Sequence, residues 1–582
     1  MKEKILTIIK KSSIFLMSFM TIILLYTTIL WIFKIPTTKY HLPVEFIITI
    51  ITFGLTNYWI YKKSKNNETL KKIIIDTCIS IILGAVVFTI SVYCVGKIYD
   101  TSADGNTYHK LAVGSMKNGW IPLYESCRDY TEEEGNVVTV IDGNRNYLWA
   151  DHYAIGTEII GANIYAFSNN IESGKAFSLV MMYICFGITL SYLCQERKLN
   201  LLAGMLISTV LVVNPITITQ IGTYYVDTTL AMTLFMIIIE LLSLTEKREV
   251  EKYLILGMSI AICSNAKFTG LAYAGVFCGV FYIYWLIENR KDKKQLLKRF
   301  KSDTLFYVIT LVLTLGIIGG SSYLMNFVKH KSPFYPLYGE GHVENMVNQE
   351  IPESLSKKSN LEQFLISIFS KGKNVSPAYY KENIIEPELK VPLTISKEEI
   401  RNYTIPDIRM GGFGPLYSGA FILTCAVSFI AIVDFIKDKK YRKLTQYLLV
   451  VGISALLVIF LDGSYWARYI PYVYFITIIN MIYLFEKKKL WGNIIGLAIG
   501  AILLLNSAVV LYAEANSYLL NSRYVKNNLE EFRIYAQQQE TTQIKLNDIA
   551  YQGVIYNIDD LGIKVKINQE MEASLDGFMF KY

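Results

Sequence analysis

The chain has 582 residues, 52% of them hydrophobic and only 18% charged, with a formal net charge of +8. A soluble protein of this length divides into several domains with polar surfaces between them, whereas here apolar runs recur from end to end and the bilayer is the solvent for most of the chain. Lys and Arg are scattered in short segments between those runs, which argues against a nucleic-acid surface, and the eight cysteines give neither a disulfide framework nor metal-type spacing.

The N-terminus carries Lys2, Lys4, Lys10 and Lys11 before an apolar run, as a signal peptide does. The run 13–33 is too long for that role and lacks a small-residue cleavage site, so it reads as a retained span. Further spans are expected at 44–61, 73–95, 175–195, 199–214, 227–244, 253–265, 268–287, 304–325, 413–436, 444–461, 470–485 and 490–513, thirteen in all. The connecting loops at 62–72 (with Lys62, Lys63, Lys65, Lys71 and Lys72), 195–198, 245–252, 288–303, 437–443 and 486–489 are short and basic. They fall on one side if the N-terminus is cytoplasmic, as the positive-inside rule requires.

That orientation places 96–174, 326–412 and 514–582 outside the cytoplasm. The expected division is two extra N-terminal helices over 1–72, a membrane core over 73–513, and a small α+β extracytoplasmic segment over 514–582. All five histidines fall outside, and for His41 and His342 a polar interfacial role suffices. In the first outer piece, 105–118 reads as a short helix stopped by Gly119 and Pro122. A second helix over 154–167 has Ile155, Ile159, Ile160 and Ile164 near one face, which predicts a helix lying along the interface. Leu361, Phe364, Leu365 and Ile368 predict another.

The stretch from Tyr99 to Pro122 holds the first candidates for chemistry. Asp104 is placed to cap the helix 105–118 or to act as a general base. Asp100 is a second acid or an ordinary loop residue, and two such carboxylates could together hold a divalent cation. Asp227, in GTYYVDTTLAMTL, opens a span at the same level, and an acid there can simply stay solvated. Lys267 in SNAKFTGL and Arg468 in DGSYWARYIPY are cations in short outer loops, where cations are rare. Snorkelling toward headgroups would account for them, but both flank apolar spans that could hold a lipid tail, which favours phosphate binding. His330 to Gly339, HKSPFYPLYG, makes a rigid aromatic turn that floors a cleft or anchors the loop.

Taken in order, these segments resemble the GT-C membrane glycosyltransferases, which include protein O-mannosyltransferases and the aminoarabinose transferase acting on lipid A. DGNTYHKLAVGSMKNGWIPLY looks like their first outer loop, HYAIGTEIIGANIYAF like their second outer helix, YYVDTTLAMTL like their second acidic motif, NAKFTGL like their Lys-containing turn and WARYIPYVY like a late Arg/Tyr-Pro motif. The resemblance spans residues 73 to 513. Relatives often have Asp-Glu where this chain has Asp104-Gly105, and spans 13–61 are additional.

The resemblance implies an all-α polytopic fold in the cytoplasmic membrane and an inverting transfer of sugar from a polyprenyl-phosphate donor to an envelope glycan, lipid or protein. It makes Asp104 the base, Asp100 and Asp227 supporting acids, and Lys267 and Arg468 the binders of the donor phosphate. Tyr108, His109, His152, Tyr335 and Tyr469 become cleft candidates. No protein-bound metal is expected from residue spacing, and no cofactor beyond a divalent cation is considered. A lipid-linked sugar flippase and an envelope glycan polymerase are the alternatives. Against the flippase, no inverted repeat and no pair of Gly/Pro-broken spans is present.

Overall fold

The computed structural model describes residues 2–63, 69–133, 145–343, 347, 351–374, 386–573 and 575–582. Lys65, one of the basic-loop residues above, lies outside this set. The protein is predominantly helical, and among the described residues ten helices are long and apolar enough to cross a membrane. Every expected span falls on a helix. Three of those helices are short: Leu201–Val212, Val250–Ala266 and Pro471–Glu486, with 12, 17 and 16 residues. At 1.5 Å per residue such helices fall short of a hydrocarbon core of about 30 Å.

Helix Asp227–Glu246 is the axis of the bundle, with 94% of its apolar window buried. It packs on Val250–Ala266, Phe268–Glu288 and Phe177–Ser191. The first helix, Lys2–Ile32, is also a core element. Its window is 61% buried, against 17% for His41–Lys63, and Phe15, Leu16, Met17 and Met20 are fully enclosed. Of the two helices read as additions, only the second sits at the periphery.

The basic loops meet one another. Lys10 pairs with Glu251, Arg197 with Glu486 at 2.5 Å, Lys252 with Glu196 at 2.8 Å and Arg442 with Glu288 at 2.6 Å. Asp303 takes both Arg248 and Arg299. These pairs gather the loops at one end of the bundle, and the segments read as outer gather at the other.

Two expectations at that other end are corrected. Helix Gly156–Ser168 does not lie with one face free: every residue from 156 to 165 is buried, packed against Lys110–Asn118 and the first helix. The boundary at 513/514 falls inside one unbroken helix, Leu490–Ala536. The C-terminal segment carries helices and a three-stranded sheet and packs back on the bundle. The long helix lays Tyr518 on the loop before Asp227, where its hydroxyl accepts from Gly222 N–H and donates to Thr219 O. Beyond it, strand Thr542–Leu546 lies between Val565–Ile567 (parallel) and Phe580–Lys581 (antiparallel). Phe532, Phe580 and Tyr582 pack edge-on and tie this sheet to the helix end.

The short helix Ile555–Asp559 then reaches back to the segment around Lys110 and Ser115. Lys110, fully buried, donates to Glu172 at 2.7 Å, Asn557 at 2.9 Å and Asn106 at 3.0 Å. Asp560 accepts from Tyr165 and from Ile171 N–H, and Tyr556 shares a hydrogen bond with Ser115. A buried charge needs such a full set of partners, so the C-terminal segment clamps the helix that follows Asp104.

Candidate functional site

The segment Asp100 to Asn118 begins as a turn fixed by its own carboxylate. Asp100, fully buried, accepts from Ser102 N–H and Tyr224 N–H, each at 2.8 Å. Ser102 then accepts from Gly105 N–H. The chain enters a π-turn, Gly105–His109, and continues as the α-helix Lys110–Asn118, which Gly119 ends at φ +123°. Asp104 is therefore not the cap. Its backbone is already helical and its side chain makes no capping bond; Ser102 holds that position. Gly105 has a physical reason as well: a Cβ there would collide with the Asp100 carboxylate.

Released from capping, Asp104 faces Arg468. Its carboxylate lies 3.5 Å from one Arg468 nitrogen and keeps 20% of its surface exposed. The same nitrogen is 3.8 Å from Asp227, and Arg468 Nε is 3.4 Å from Asp407. Asp227 is not solvated, as a span-end acid could be. It is buried, accepts from Lys267 Nζ at 2.8 Å and from Gln220 at 3.0 Å, and opens its helix where the dipole favours an anion. Neither cation snorkels. Lys267 lies over the Tyr469 ring at 4.2 Å, and Arg468 over Trp466 at 4.5 Å and Tyr225 at 4.9 Å.

Charge-assisted hydrogen bonds of arginine run about 2.7–2.9 Å, so the 3.4–3.8 Å contacts of Arg468 are loose. Its Nε and the facing Asp407 Oδ1 have no hydrogen-bond partner of good geometry among the described residues. Burial works against the charge on Arg468, but Asp407, Tyr469 and Asp227 outweigh it and hold the guanidinium well above its ordinary range. At Asp407 burial dominates and pushes the carboxyl up, while Arg468 and Arg409 pull it down. Burial, with Asp104 adding to it, also holds the Tyr108 phenol up.

Beside this cluster lies a small gap of about 10 Å³, room for about one water, with Asp227, Arg468 and Thr217 on one side and Ala231, Phe413 and Phe475 on the other.

The remaining candidates separate. Tyr469 belongs to the cluster, its hydroxyl accepting from Arg468 at 3.3 Å. Tyr108 stands next to it, edge-on to Tyr153 at 6.0 Å. His109 does not line a cleft: it is buried and paired with Glu158 at 2.5 Å. His152 is turned away, bonded to Asn326 at 2.7 Å and edge-on to Tyr335, which stacks on His330 with centroids 3.7 Å apart. Burial lowers the His152 imidazole to about 4. Asp100 is a structural residue.

An acid pair for a divalent cation does not fit, because both Asp100 oxygens are taken by backbone N–H groups and Asp104 faces a guanidinium. Among the described residues no three His, Cys, Asp or Glu side chains group as a metal site. Asp407, Gln220, Tyr225 and Trp466 escape the sequence reading. Asp407, in NYTIPDIRMGG, sits in a loop without periodicity, and only its alternation with Arg409 hints at a built position.

The sequence matches no protein-family model and no curated protein.

Proposed function

We propose that the chain is a membrane glycosyltransferase of the GT-C kind. In this reading thirteen spans place the N-terminus in the cytoplasm and the acid-rich end outside the cytoplasmic membrane. A sugar passes there from a polyprenyl-phosphate-linked donor to an envelope glycan, lipid or protein. The observation that carries the reading is the position of Arg468: a buried guanidinium with loosely held donors, set between Asp104, Asp227 and Asp407. An anionic headgroup fits donors held that loosely.

The donor phosphate takes hydrogen bonds from Arg468 and displaces Asp104, the most exposed of the three carboxylates. Asp104 is then free to receive the proton of an acceptor hydroxyl as its oxygen attacks the anomeric carbon from the opposite face. The bond from that carbon to the phosphate oxygen breaks, and the lipid phosphate leaves with its negative charge held by Arg468. Lys267 stays with Asp227 and keeps that acid from competing for Arg468, so its contribution to phosphate binding is indirect.

Incubating the purified protein in proteoliposomes with a labelled polyprenyl-phosphate sugar and an envelope extract tests this. Label transferred to an acceptor supports it. Movement of the labelled lipid across the bilayer without transfer sinks it in favour of a flippase.

A further inference from the structure

We infer that residues 388–395, together with the helix Asn360–Ile368, form a surface seated in the lipid monolayer at the acid-rich end of the molecule. The side chains of this segment are distributed the wrong way round for water. Leu389, Val391, Leu393 and Ile395 are 66%, 71%, 51% and 40% exposed. Of the two charged residues in the segment, Glu388 stays exposed at its start and pairs with Lys371 and Lys373, while Lys390, between the aliphatics, turns inward. Its Nζ meets the Glu399 carboxylate, with both side chains almost fully enclosed, and donates to Pro415 O at 2.6 Å. A soluble surface keeps its lysine out and its aliphatics in, and a contiguous exposed apolar patch marks an interaction surface.

The segment is also fixed in place. Lys371 N–H donates to Glu388 O and Lys390 N–H to Phe369 O, which joins it to the end of Asn360–Ile368. That helix is closed at its start by a Ser359–Glu362 capping box. It buries Phe364 and Ile368 and leaves Leu361 and Leu365 exposed.

Continuity with the membrane-facing wall identifies the occupant. Phe364 packs edge-on against Phe421 at 5.5 Å, in the second turn of Tyr417–Lys437, one of the long apolar helices. Leu393 lies over Gly419 in the first turn of that helix. Ile422, next to Phe421, is itself exposed. The exposed leucines and the lipid-facing side of a span thus form one unbroken apolar surface where that span ends. Such a surface sinks about 5–10 Å into the headgroup boundary. This inference is independent of the glycosyltransferase reading.

An environment-sensitive fluorescent amino acid, genetically encoded at Val391 in one sample and at Lys397 in another, tests it in nanodiscs of phosphatidylethanolamine and phosphatidylglycerol. Nitroxide lipids labelled near the headgroup should quench the 391 label several-fold more than the 397 label. Aqueous iodide should show the opposite order. Equal iodide quenching at both positions would overturn the inference. Protection of position 391 from both quenchers would also overturn it, since a protein partner or a second copy would then be the cover. A label at Leu365 gives a second reading should the 391 variant fold poorly, with the same outcomes.

Discussion

The ion groups around Asp303 and around Arg468, at opposite ends of the bundle, handle charge in opposite ways. At the basic end two cations share one carboxylate: Asp303 serves Arg248 and Arg299, and such pairs join helix ends across short loops. At the other end carboxylates share a cation: Asp104, Asp227 and Asp407 all lie within 4 Å of Arg468, which is buried against three aromatic rings. A surplus of cations in short loops sets orientation and asks little of geometry. A buried cation ringed by loosely held acids costs desolvation, which mutual attraction offsets only with good geometry. Retaining it points to use by a ligand.

The largest effect should come from Asp104→Asn. The amide keeps the shape and loses the proton acceptor, so sugar transfer should fall by about 10²–10⁴-fold. Thermal unfolding should stay near that of the parent, because Asp104 is the partly exposed member of the cluster. Near-normal transfer would remove Asp104 from the mechanism and leave the contrast between the ends without its chemical half.

Arg468→Gln should reach nearly as far, by a different route. Removing one partner of a buried ion group leaves the others uncompensated, at about 3–5 kcal/mol. Melting in detergent should therefore drop markedly, along with donor binding. Arg468→Lys separates charge from shape: a point charge cannot serve three carboxylates and a phosphate as a guanidinium does, so stability should recover further than donor affinity.

Asp100→Asn tests an acid of the same motif that holds backbone only. The amide cannot accept both N–H groups, and losing a charge-assisted bond costs about 1.5–3 kcal/mol. Unfolding should show that loss, while the pH profile of transfer keeps its shape. A shifted profile would return Asp100 to the chemistry.

How much of this was legible in the sequence depends on where each residue finds its partner. The apolar runs and basic loops declare themselves locally, so the helices and the grouping of the loops at one end follow from composition. Asp104, Asp227, Lys267 and Arg468 come to one end because the spans between them alternate. The roles of Asp100 and His109 were not legible, because their partners, Tyr224 N–H and Glu158, lie 124 and 49 residues away. The capping role expected of Asp104 went to Ser102, a choice made by the folded-back Asp100 carboxylate. Asp407 and the clamp by Ile555–Asp559 lie in segments whose pattern gives no period to read.

The clamp offers a pH-dependent test at the acid-rich end. Burial pushes the Asp560 carboxyl up to about 7 from an ordinary 3.8, against the lowering pull of its bonds from Ile171 and Tyr165. Between those values the folded state holds a proton that the unfolded state releases. Stability from this group should therefore fall as pH rises from about 4 to about 7 and level off beyond. Protection of the Lys110–Asn118 amides, taken relative to their intrinsic exchange rate at each pH, should be higher at mildly acidic pH than above neutrality. Asp151, also raised to about 7, contributes in the same direction, so the Asp560 share is the difference between parent and Asp560→Asn. An unchanged slope in that variant would show that the clamp does not depend on this carboxyl.

The smallest effect belongs to the basic end. Arg442 pairs with Glu288 and also donates to Thr245 O, yet half of its side chain is in solvent. Its replacement by Gln leaves Glu288 partly hydrated rather than buried and alone. Exposed pairs of this kind contribute about 0–1 kcal/mol and weaken with salt, so the Arg442→Gln melting point should barely move, and less still at high ionic strength. Transfer should be unaffected, because among the described residues no ion pair links this end to Arg468. A loss here comparable to that of Arg468→Gln would mean that the two ends are coupled through the central helix Asp227–Glu246, whose first residue binds Lys267 and whose last turn accepts from Arg442. The difference in charge handling would then belong to one continuous device rather than to two separate tasks.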